Sequence, residues 1–186
     1  MSAAAFRRAR ADEATALSKV ARETFVEKFG HLYRRRDLDA FLDKSHAPEV
    51  YARLLADPDH ALWVVEAPDG GLDGYLVTGP CDLPAPGRKD PSGELMRFYI
   101  RAARQGRGLG HAMLGAALEW LEARYEHIYL SVYSENDGAQ RLYRRYGFDK
   151  ICDYFYMVGE QADPEWIMER VRKVRPLPTG PGRTAG

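Results

Sequence analysis

A short turn that carries three glycines is the stretch of this sequence best suited to hold a ligand. It reads Gln105-Gly106-Arg107-Gly108-Leu109-Gly110 and follows an apolar run that predicts a strand from Leu95 to Ile100. A helical pattern begins directly after it, with apolar residues three and four apart from Leu114 to Tyr125. The amides that open a helix have no partner within it and attract anions. Strand, glycine turn and helix start therefore predict a site for a phosphate-type anion.

Two common phosphate-binding loops do not fit this turn. A P-loop needs Lys and then Ser or Thr after its last glycine, but Gly110 is followed by His111 and Ala112. The dinucleotide fingerprint needs a third glycine at the position of His111. What remains is a Gln/Arg-x-x-Gly-x-Gly pattern. Its alternative interpretation is a turn that serves only to pack the strand against the helix.

This pattern resembles the loop with which Gcn5-related N-acetyltransferases (GNAT) bind the pyrophosphate of acetyl-coenzyme A (acetyl-CoA). A second segment resembles that family's Asn-x-x-Ala-x-x-x-Tyr-x-x-x-Gly-Phe motif, running from Asn136 through Tyr143 to Phe148. Two motifs in the family's order argue against coincidence. The resemblance implies an acetyl-CoA-dependent N-acetyltransferase that uses no metal.

Tyr143 is the residue that the resemblance identifies as the general acid. Acyl transfer from a thioester to an amine requires a proton for the departing thiolate. A phenol, with a pKa of about 10, stays protonated at neutral pH, and a thiolate, whose thiol titrates near about 8.5, can take its proton. The alternative is a core role for Tyr143, in the apolar stripe of its helix with Leu142 and Tyr146.

Glu94, at the start of the central strand, resembles a position that carries a glutamate base in many relatives. A carboxylate whose pKa is raised by partial burial can accept the proton of the amine directly or through a water. Two alternatives remain open for this residue. It faces solvent at the end of the strand, or it pairs with Arg97.

The resemblance also implies how the coenzyme is held. The central strand is expected to pair with the pantetheine amides, the glycine turn to hold the pyrophosphate with added charge from Arg104 and Arg107, and Asn136 to reach the pantetheine arm. The predicted coenzyme-binding residues are Phe98, Tyr99, Ile100, Gln105, Gly106, Arg107, Gly108, Leu109, Gly110, Asn136 and Tyr143. Arg144 and Arg145 either meet the 3′-phosphate or form a solvated helix face.

Composition limits the class of protein. The 186 residues fit one domain, and a formal net charge of zero argues against a dedicated nucleic-acid binder. Two cysteines, Cys81 and Cys152, form neither a disulfide framework nor a metal-ligand cluster. No signal peptide or membrane-spanning apolar run is found, so a cytoplasmic protein is expected, as a monomer or homodimer.

The resemblance implies an acetyltransferase domain over residues 1–173, and the Pro- and Gly-rich composition of residues 174–186 predicts a disordered tail. Helices are predicted from a cap at Asp12 to Gly30, at Asp37–Lys44 and Pro48–Ala56, from the glycine turn to Tyr125, and around Ala139–Tyr146. Strands are predicted at Phe6–Arg10, Ala61–Ala67, Leu72–Gly79, Leu95–Ile100, Ile128–Tyr133, Phe148–Val158 and Trp166–Val171. This order gives a mixed α/β fold, with a mostly antiparallel sheet of six to seven strands flanked by helices, and it matches the acyl-CoA N-acyltransferase fold.

The acceptor is less clearly specified. The segments Ala21–Gly30 and Phe155–Gly159 resemble bacterial polyamine-type (PaiA-like) acetyltransferases, which implies a small cationic amine such as spermidine. Four acidic residues are expected to face such a polycation, and the arginines at 34–36 oppose it. These acidic residues are Glu23, Glu27, Asp37 and Asp39. Alternatives are a protein or peptide acetyltransferase whose 30–60 region grips a peptide, and a non-catalytic acetyl-CoA-binding sensor.

Overall fold

The computed structural model describes residues 6–106 and 108–172, so Arg107 and the predicted tail at 174–186 lie outside the described residues. The helices are α1 (Ala14–Phe29), α2 (Arg35–Ser45), α3 (Pro48–Ala56), α4 (Leu109–Glu122) and α5 (Asp137–Arg145). The strands are β1 (Phe6–Arg8), β2 (Ala61–Glu66), β3 (Leu72–Pro80), β4 (Ser92–Ile100), β5 (His127–Tyr133), β6 (Asp149–Val158) and β7 (Gln161–Val171). Within these ranges, no helix combines the length and the apolar character needed to cross a membrane.

The seven strands form one mixed sheet in the order β1-β2-β3-β4-β5-β7-β6. The pair β4 and β5 is parallel, and the other five pairs are antiparallel. A parallel pair needs a crossover connection, and here α4 supplies it. The predicted mixed α/β class and its mostly antiparallel sheet are confirmed.

Helices cover both faces of the sheet because the strands alternate apolar side chains between the two faces. In β2, Trp63 and Val65 pack with α4, whereas Leu62 and Val64 pack with α1 and α3. Each face thus has its own apolar core. One core is centred on α4 and β5, the other on α1 and β3.

A smaller aromatic cluster joins α1 to α2 at one end of the molecule. Phe25 lies between Phe29, Tyr33 and Phe41, with ring centroids 5.4, 5.9 and 4.8 Å away. Its neighbour Leu38 is also buried. This cluster fixes α2 beside the end of β6, where Phe41 meets Tyr156 edge-on.

Some element ends differ from the prediction. Helix α1 begins at Ala14 after Glu13, not after a cap at Asp12, because the Glu13 carboxylate is held by the backbone N–H of Arg10 and the guanidinium of Arg7. Strand β7 begins at Gln161, five residues before the predicted start. Pro164 does not interrupt this strand, because its carbonyl accepts from the backbone N–H of Ser134 and the strand continues through it.

Candidate active site

A cleft opens where the two parallel strands separate. Strands β4 and β5 pair only from Ser92–Glu94 to His127–Tyr129. Met96 is an extra residue in β4, because Arg97 lies opposite Val77 and Leu95 lies opposite Thr78. Such a bulge increases local twist and bends a strand away from its neighbour. Past Glu94 the described parts of β4 and β5 are unpaired with each other, and a cavity of about 1110 Å³ lies between them.

The glycine turn lies at the mouth of this cavity. Gly106 and Gly108 have φ angles of +78° and +76°, which glycine adopts at little cost. Gly108 is the N-cap of α4 and has no side chain to cap it, so the first amides of the helix are free of a side-chain partner. Gln105 holds the turn against β4, since its Nε2 donates to the Ile100 carbonyl at 2.7 Å.

The predicted coenzyme-binding residues differ in where the structure places them relative to the cavity. Most of them line the cavity, namely Phe98, Tyr99, Ile100, Gln105, Gly106, Gly108, Gly110, Asn136 and Tyr143. Leu109 instead buries its side chain in the core, so a contact from this residue to a ligand in the cavity would use its amide. Arg107 lies outside the described residues.

Tyr143 lies on α5 and faces the cavity. Its side chain is buried, its ring meets Phe148 at 6.0 Å, and burial raises the pKa of its phenol. Tyr143 therefore packs in the core and also borders the cleft, where its role as general acid stays a prediction. Its hydroxyl stays protonated at neutral pH.

Asn136 begins the helix that carries Tyr143. Its Oδ1 accepts from the amide of Ala139 at 3.4 Å, and Lys28 Nζ donates to the same oxygen at 3.2 Å. An asparagine at this position stabilises the start of a helix. Because the side-chain oxygen of Asn136 is already occupied, a contact from this side chain to the coenzyme would use its nitrogen.

Glu94 borders the closed end of the cleft and is only 8% exposed. Its Oε2 accepts from the backbone N–H of Asp82 at 3.0 Å. Burial raises the pKa of this carboxyl above its ordinary value. The two alternatives for this side chain, exposure to solvent and pairing with Arg97, are wrong within the described structure.

Most acidic residues predicted to face a polycation do not converge on the cleft. Glu23 pairs with Arg101, Asp39 pairs with Arg35, and Asp37 lies beside Gly159. Glu27 does line the cavity, and it accepts from the amide of Ala102 at 3.1 Å. Charge spacing along a helix could not reveal which of these residues has a partner elsewhere in the chain.

The basic residues near the coenzyme motifs also differ in their placement. Arg144 lies over the ring of Trp166 at 5.5 Å, whereas Arg145 lines the cavity. Arg104 forms an ion pair with Asp73 at 3.2 Å. Of these three residues, Arg145 is therefore the one placed to meet a charged group of a ligand.

Apart from Tyr99, the sequence did not predict one wall of the cleft. This wall, which we call the acceptor wall, combines side chains from α1, α2 and the residues that follow each of these helices with side chains from β4, β6 and β7. Its residues are Phe29, Tyr33, Phe41, His46, Arg97, Tyr99, Tyr154, Tyr156, Asp163 and Glu165. They come from segments far apart in the chain and share no local motif. The one local feature of the sequence that relates to this wall is the alternation of tyrosines along β6.

Fold and cleft together define the class of protein. A sheet whose parallel neighbours diverge beside a glycine turn is that of an acyl-CoA N-acyltransferase. The PaiA N-acetyltransferase of Thermoplasma acidophilum, solved in complex with coenzyme A, has the same fold with a TM-score of 0.70. It is 17% identical in sequence, and the match covers 92% of this chain and 100% of that one.

Sequence comparison gives the family. The profile of the Acetyltransferase (GNAT) family matches residues 18–148, more than half of the chain, so the chain belongs to this family. It is an acetyl-CoA-dependent N-acetyltransferase. An uncharacterised N-acetyltransferase from the pepI 3′ region of Lactobacillus delbrueckii subsp. lactis is 26% identical over 156 residues, which are 81% of this chain and 87% of that protein.

Two further relatives have named activities. The N-alpha-acetyltransferase RimI of Mycobacterium tuberculosis is 34% identical over 134 residues, covering 66% of this chain and 80% of that protein. The spermine/spermidine N(1)-acetyltransferase of Bacillus subtilis is 38% identical over 82 residues, covering 43% of this chain and 54% of that protein.

Proposed function

We propose that this enzyme transfers the acetyl group of acetyl-CoA to a primary amine of a small molecule by direct attack of the amine on the thioester. The observation that carries this proposal is that Glu94 and Tyr143 border one cavity, on opposite sides of the divergence between β4 and β5. A carboxylate and a phenol that share one cleft can divide the two proton transfers of the reaction.

The coenzyme fits the groups that the cleft offers. The unpaired edge of β4 at Phe98–Ile100 presents backbone N–H and C=O groups, which need partners when a ligand covers them. Pantetheine carries amide groups that match them. The glycine turn lines the cavity at Gln105, Gly106, Gly108 and Gly110, where a pyrophosphate would gain from the start of α4. Arg107, within the same turn, would add positive charge.

Glu94 is proposed as the base. The amine arrives mostly as an ammonium ion and must lose a proton before it can attack a carbonyl carbon. Burial raises the pKa of Glu94, which makes its carboxylate a stronger base than an exposed glutamate.

Tyr143 is proposed as the acid. Its raised pKa keeps the proton in place until the carbon–sulfur bond breaks. The thiolate forms in the same low-dielectric cavity, so its basicity rises as well and it can take the proton of the phenol.

We propose a small-molecule amine as the acceptor, and a peptide amine is the alternative. Similarity to the spermine/spermidine relative supports a polyamine, but it extends over 82 residues, and of the four predicted acidic residues only Glu27 lines the cavity. Similarity to RimI over 80% of that protein supports a peptide amine as the second candidate.

A thiol-release screen tests the proposed function. The purified chain is incubated with acetyl-CoA and a panel of polyamines, aminoglycosides, amino acids and short peptides. We expect saturable release of free coenzyme A thiol with at least one class. Calorimetry with acetyl-CoA is the companion measurement. Heat of binding without thiol release for any amine would identify a sensor and refute the proposal.

A further inference from the structure

The acceptor wall contains two ionisable groups of opposite sign that are not paired with each other. Arg97 lies on β4 immediately after the bulge, and Glu165 lies on β7 opposite Tyr133 of β5. Both side chains line the cavity, and Arg97 and Glu165 form no ion pair with the described residues. Buried charges are normally paired or hydrogen-bonded, so this arrangement needs an explanation.

Arg97 is the positive group. Its guanidinium carbon lies 5.4 Å from the centre of the Tyr51 ring, and its Nη1 is buried without a hydrogen-bond partner among the described residues. The groups that face it are aromatic and neutral. They are the hydroxyl of Tyr51, which is a hydrogen-bonding neighbour of the guanidinium, the hydroxyls of Tyr75 and Tyr156, and the ring of His46. A guanidinium in such surroundings presents unused donors that match a carboxylate or phosphate.

Glu165 is the negative group. Its Oε2 is buried, and it too has no hydrogen-bond partner within the described part of the chain. Burial raises the pKa of this carboxyl, and the neighbouring carboxylate of Asp163 acts in the same direction. Asp163 itself is occupied, since it accepts from the Tyr33 hydroxyl and from Gln161. The Ser131 hydroxyl is a hydrogen-bonding neighbour of the Glu165 carboxylate and acts in the opposite direction, so Oε2 is the oxygen left to accept from a ligand.

Apart from Arg97, the basic side chains that line the cavity form no ion pair with Glu165 among the described residues. They are Lys28, His46, His111, Arg141 and Arg145. His46 is hydrogen-bonded to the Tyr51 hydroxyl at 2.8 Å, and burial lowers its pKa to about 3, so its ring is neutral. Lys28 contacts Asn136, and burial lowers its pKa. A polycation in this cavity would face Arg97 with like charge, and a simple anion would face Glu165 in the same way.

We propose that the acceptor carries an anionic group as well as its amine, and that Arg97 binds the anionic group while Glu165 faces the ammonium nitrogen. The acceptor class is then amino-acid-like, and a polyamine is a poor substrate. This inference rests on the proposed function. Two aromatic side chains of the cavity, Tyr99 and Tyr156, each lie near both charges and suit an ammonium or an apolar side chain.

Matched amines test this specificity with the full chain and acetyl-CoA. Lysine and cadaverine, ornithine and putrescine, and phenylalanine and phenethylamine differ within each pair by one carboxylate. We expect kcat/KM from thiol release to be about 10-fold or more higher for the carboxylate-bearing member, as a charge-assisted hydrogen bond implies. A higher value for the member without the carboxylate would overturn the proposal.

Two variants separate recognition from folding. Arg97→Met should lower kcat/KM for the carboxylate-bearing amines by about 10- to 100-fold and leave their partners nearly unchanged, with Arg97→Lys intermediate. Glu165→Gln should weaken both members of a pair, since both carry the ammonium. Arg124→Met is the matched control, because Arg124 also lies over an aromatic ring, that of Trp120 at 4.0 Å, but outside this cavity. Equal losses for both members in Arg97→Met would indicate a structural role and refute the assignment.

Calorimetry on the complex of the enzyme with coenzyme A measures amine binding without requiring turnover. Heat of binding for lysine, ornithine or phenylalanine, exceeding that of the paired amine and lost in Arg97→Met, would support the proposal even without thiol release. In that case the proposed function would fail while the specificity stands. No preference for the carboxylate-bearing members in either measurement would overturn the specificity alone.

Discussion

The two groups proposed to move protons share one physical feature, which is their removal from water. Burial raises the pKa of the Tyr143 phenol and of the Glu94 carboxyl, because each ionises to an anion. For the phenol this keeps a proton available at every physiological pH. For the carboxyl, the higher pKa lies closer to neutral pH than that of an exposed glutamate. Burial thus favours a protonated acid at Tyr143 and a more basic carboxylate at Glu94.

Replacing Tyr143 with Phe removes the proposed acid and retains the ring that packs on Phe148. We expect kcat to fall by about 10²- to 10⁴-fold, the usual contribution of a positioned general acid. The affinity for acetyl-CoA, measured by calorimetry, should change little. Unchanged turnover in this variant would assign Tyr143 to the core alone, and a melting temperature close to that of the parent protein would rule out misfolding as the cause of a loss.

Glu94→Gln tests the base through its pH dependence. The base must be ionised, so kcat/KM of the parent enzyme should rise with pH through the raised pKa of Glu94. Glutamine has no such titration, and the variant should keep only the rise that belongs to the acceptor amine. We also expect kcat/KM to fall by about 10²-fold or more. An identical profile in parent and variant would exclude Glu94 as the base.

Stability gives a second measurement on Glu94. Because its folded pKa is raised above the ordinary 4.5, the native state keeps the proton longer than the unfolded state. The contribution of this group to stability is complete below the unfolded pKa and is lost as pH rises through the folded pKa. Glu94→Gln should therefore be more stable than the parent above that pKa, and the difference should vanish in acid. Urea unfolding at several pH values measures this difference.

At the scale of elements, the glycine turn places the start of α4 against the cleft. Gly108 has a φ of +76°, and a Cβ there would meet nothing within 4 Å. A substitution at this position is therefore opposed by backbone conformation and not by a clash. Gly115, inside α4, is equally open but has no positive φ. The two glycines form a natural pair for comparison.

Gly108→Ala should destabilise the protein by about 1–2 kcal/mol, the usual penalty of a left-handed alanine. It should also weaken acetyl-CoA binding, because relaxing the turn moves the amides that face the cavity. Gly115→Ala should stabilise the fold by about 0.5–1 kcal/mol through helix propensity, with no change in coenzyme affinity. Chemical denaturation and calorimetry measure both. Equal coenzyme affinity in the two variants would show that the turn does not hold the ligand.

At the scale of the whole molecule, local signals predicted most of the fold. Alternation along β2 and β5, the heptad-like stripe of α4 and the turn glycines all reflect contacts within a few residues or one sheet face. The same holds for Tyr143 and the glycine turn, because motif spacing encodes them. The acceptor wall could not be predicted in this way. Arg97 and Glu165 are 68 residues apart, and their environment depends on the antiparallel pairing of β7 with β5.

Gly93 shows how the whole fold supports the divergence of the strands. It lies in the short paired section of β4 and β5, opposite Ile128. A Cβ at this position would come within 2.5 Å of Tyr125 Cδ2 and 2.8 Å of Leu121 Cδ2, so the close approach of α4 to the sheet requires glycine. The close packing of α4 against β4 thus supports the short paired section of β4 and β5 at the closed end of the cleft.

Gly93→Ala should destabilise the protein by about 1–3 kcal/mol, as expected for an overpacked core position. Tyr125→Ala alone removes apolar contacts and should also destabilise. The double variant Gly93→Ala, Tyr125→Ala should be more stable than the sum of the two losses predicts, by about 0.5 kcal/mol or more, because the ring that clashes is gone. Urea denaturation of the four proteins completes this cycle. Strict additivity would show that the ring shifts freely and that Gly93 does not set the distance between α4 and β4.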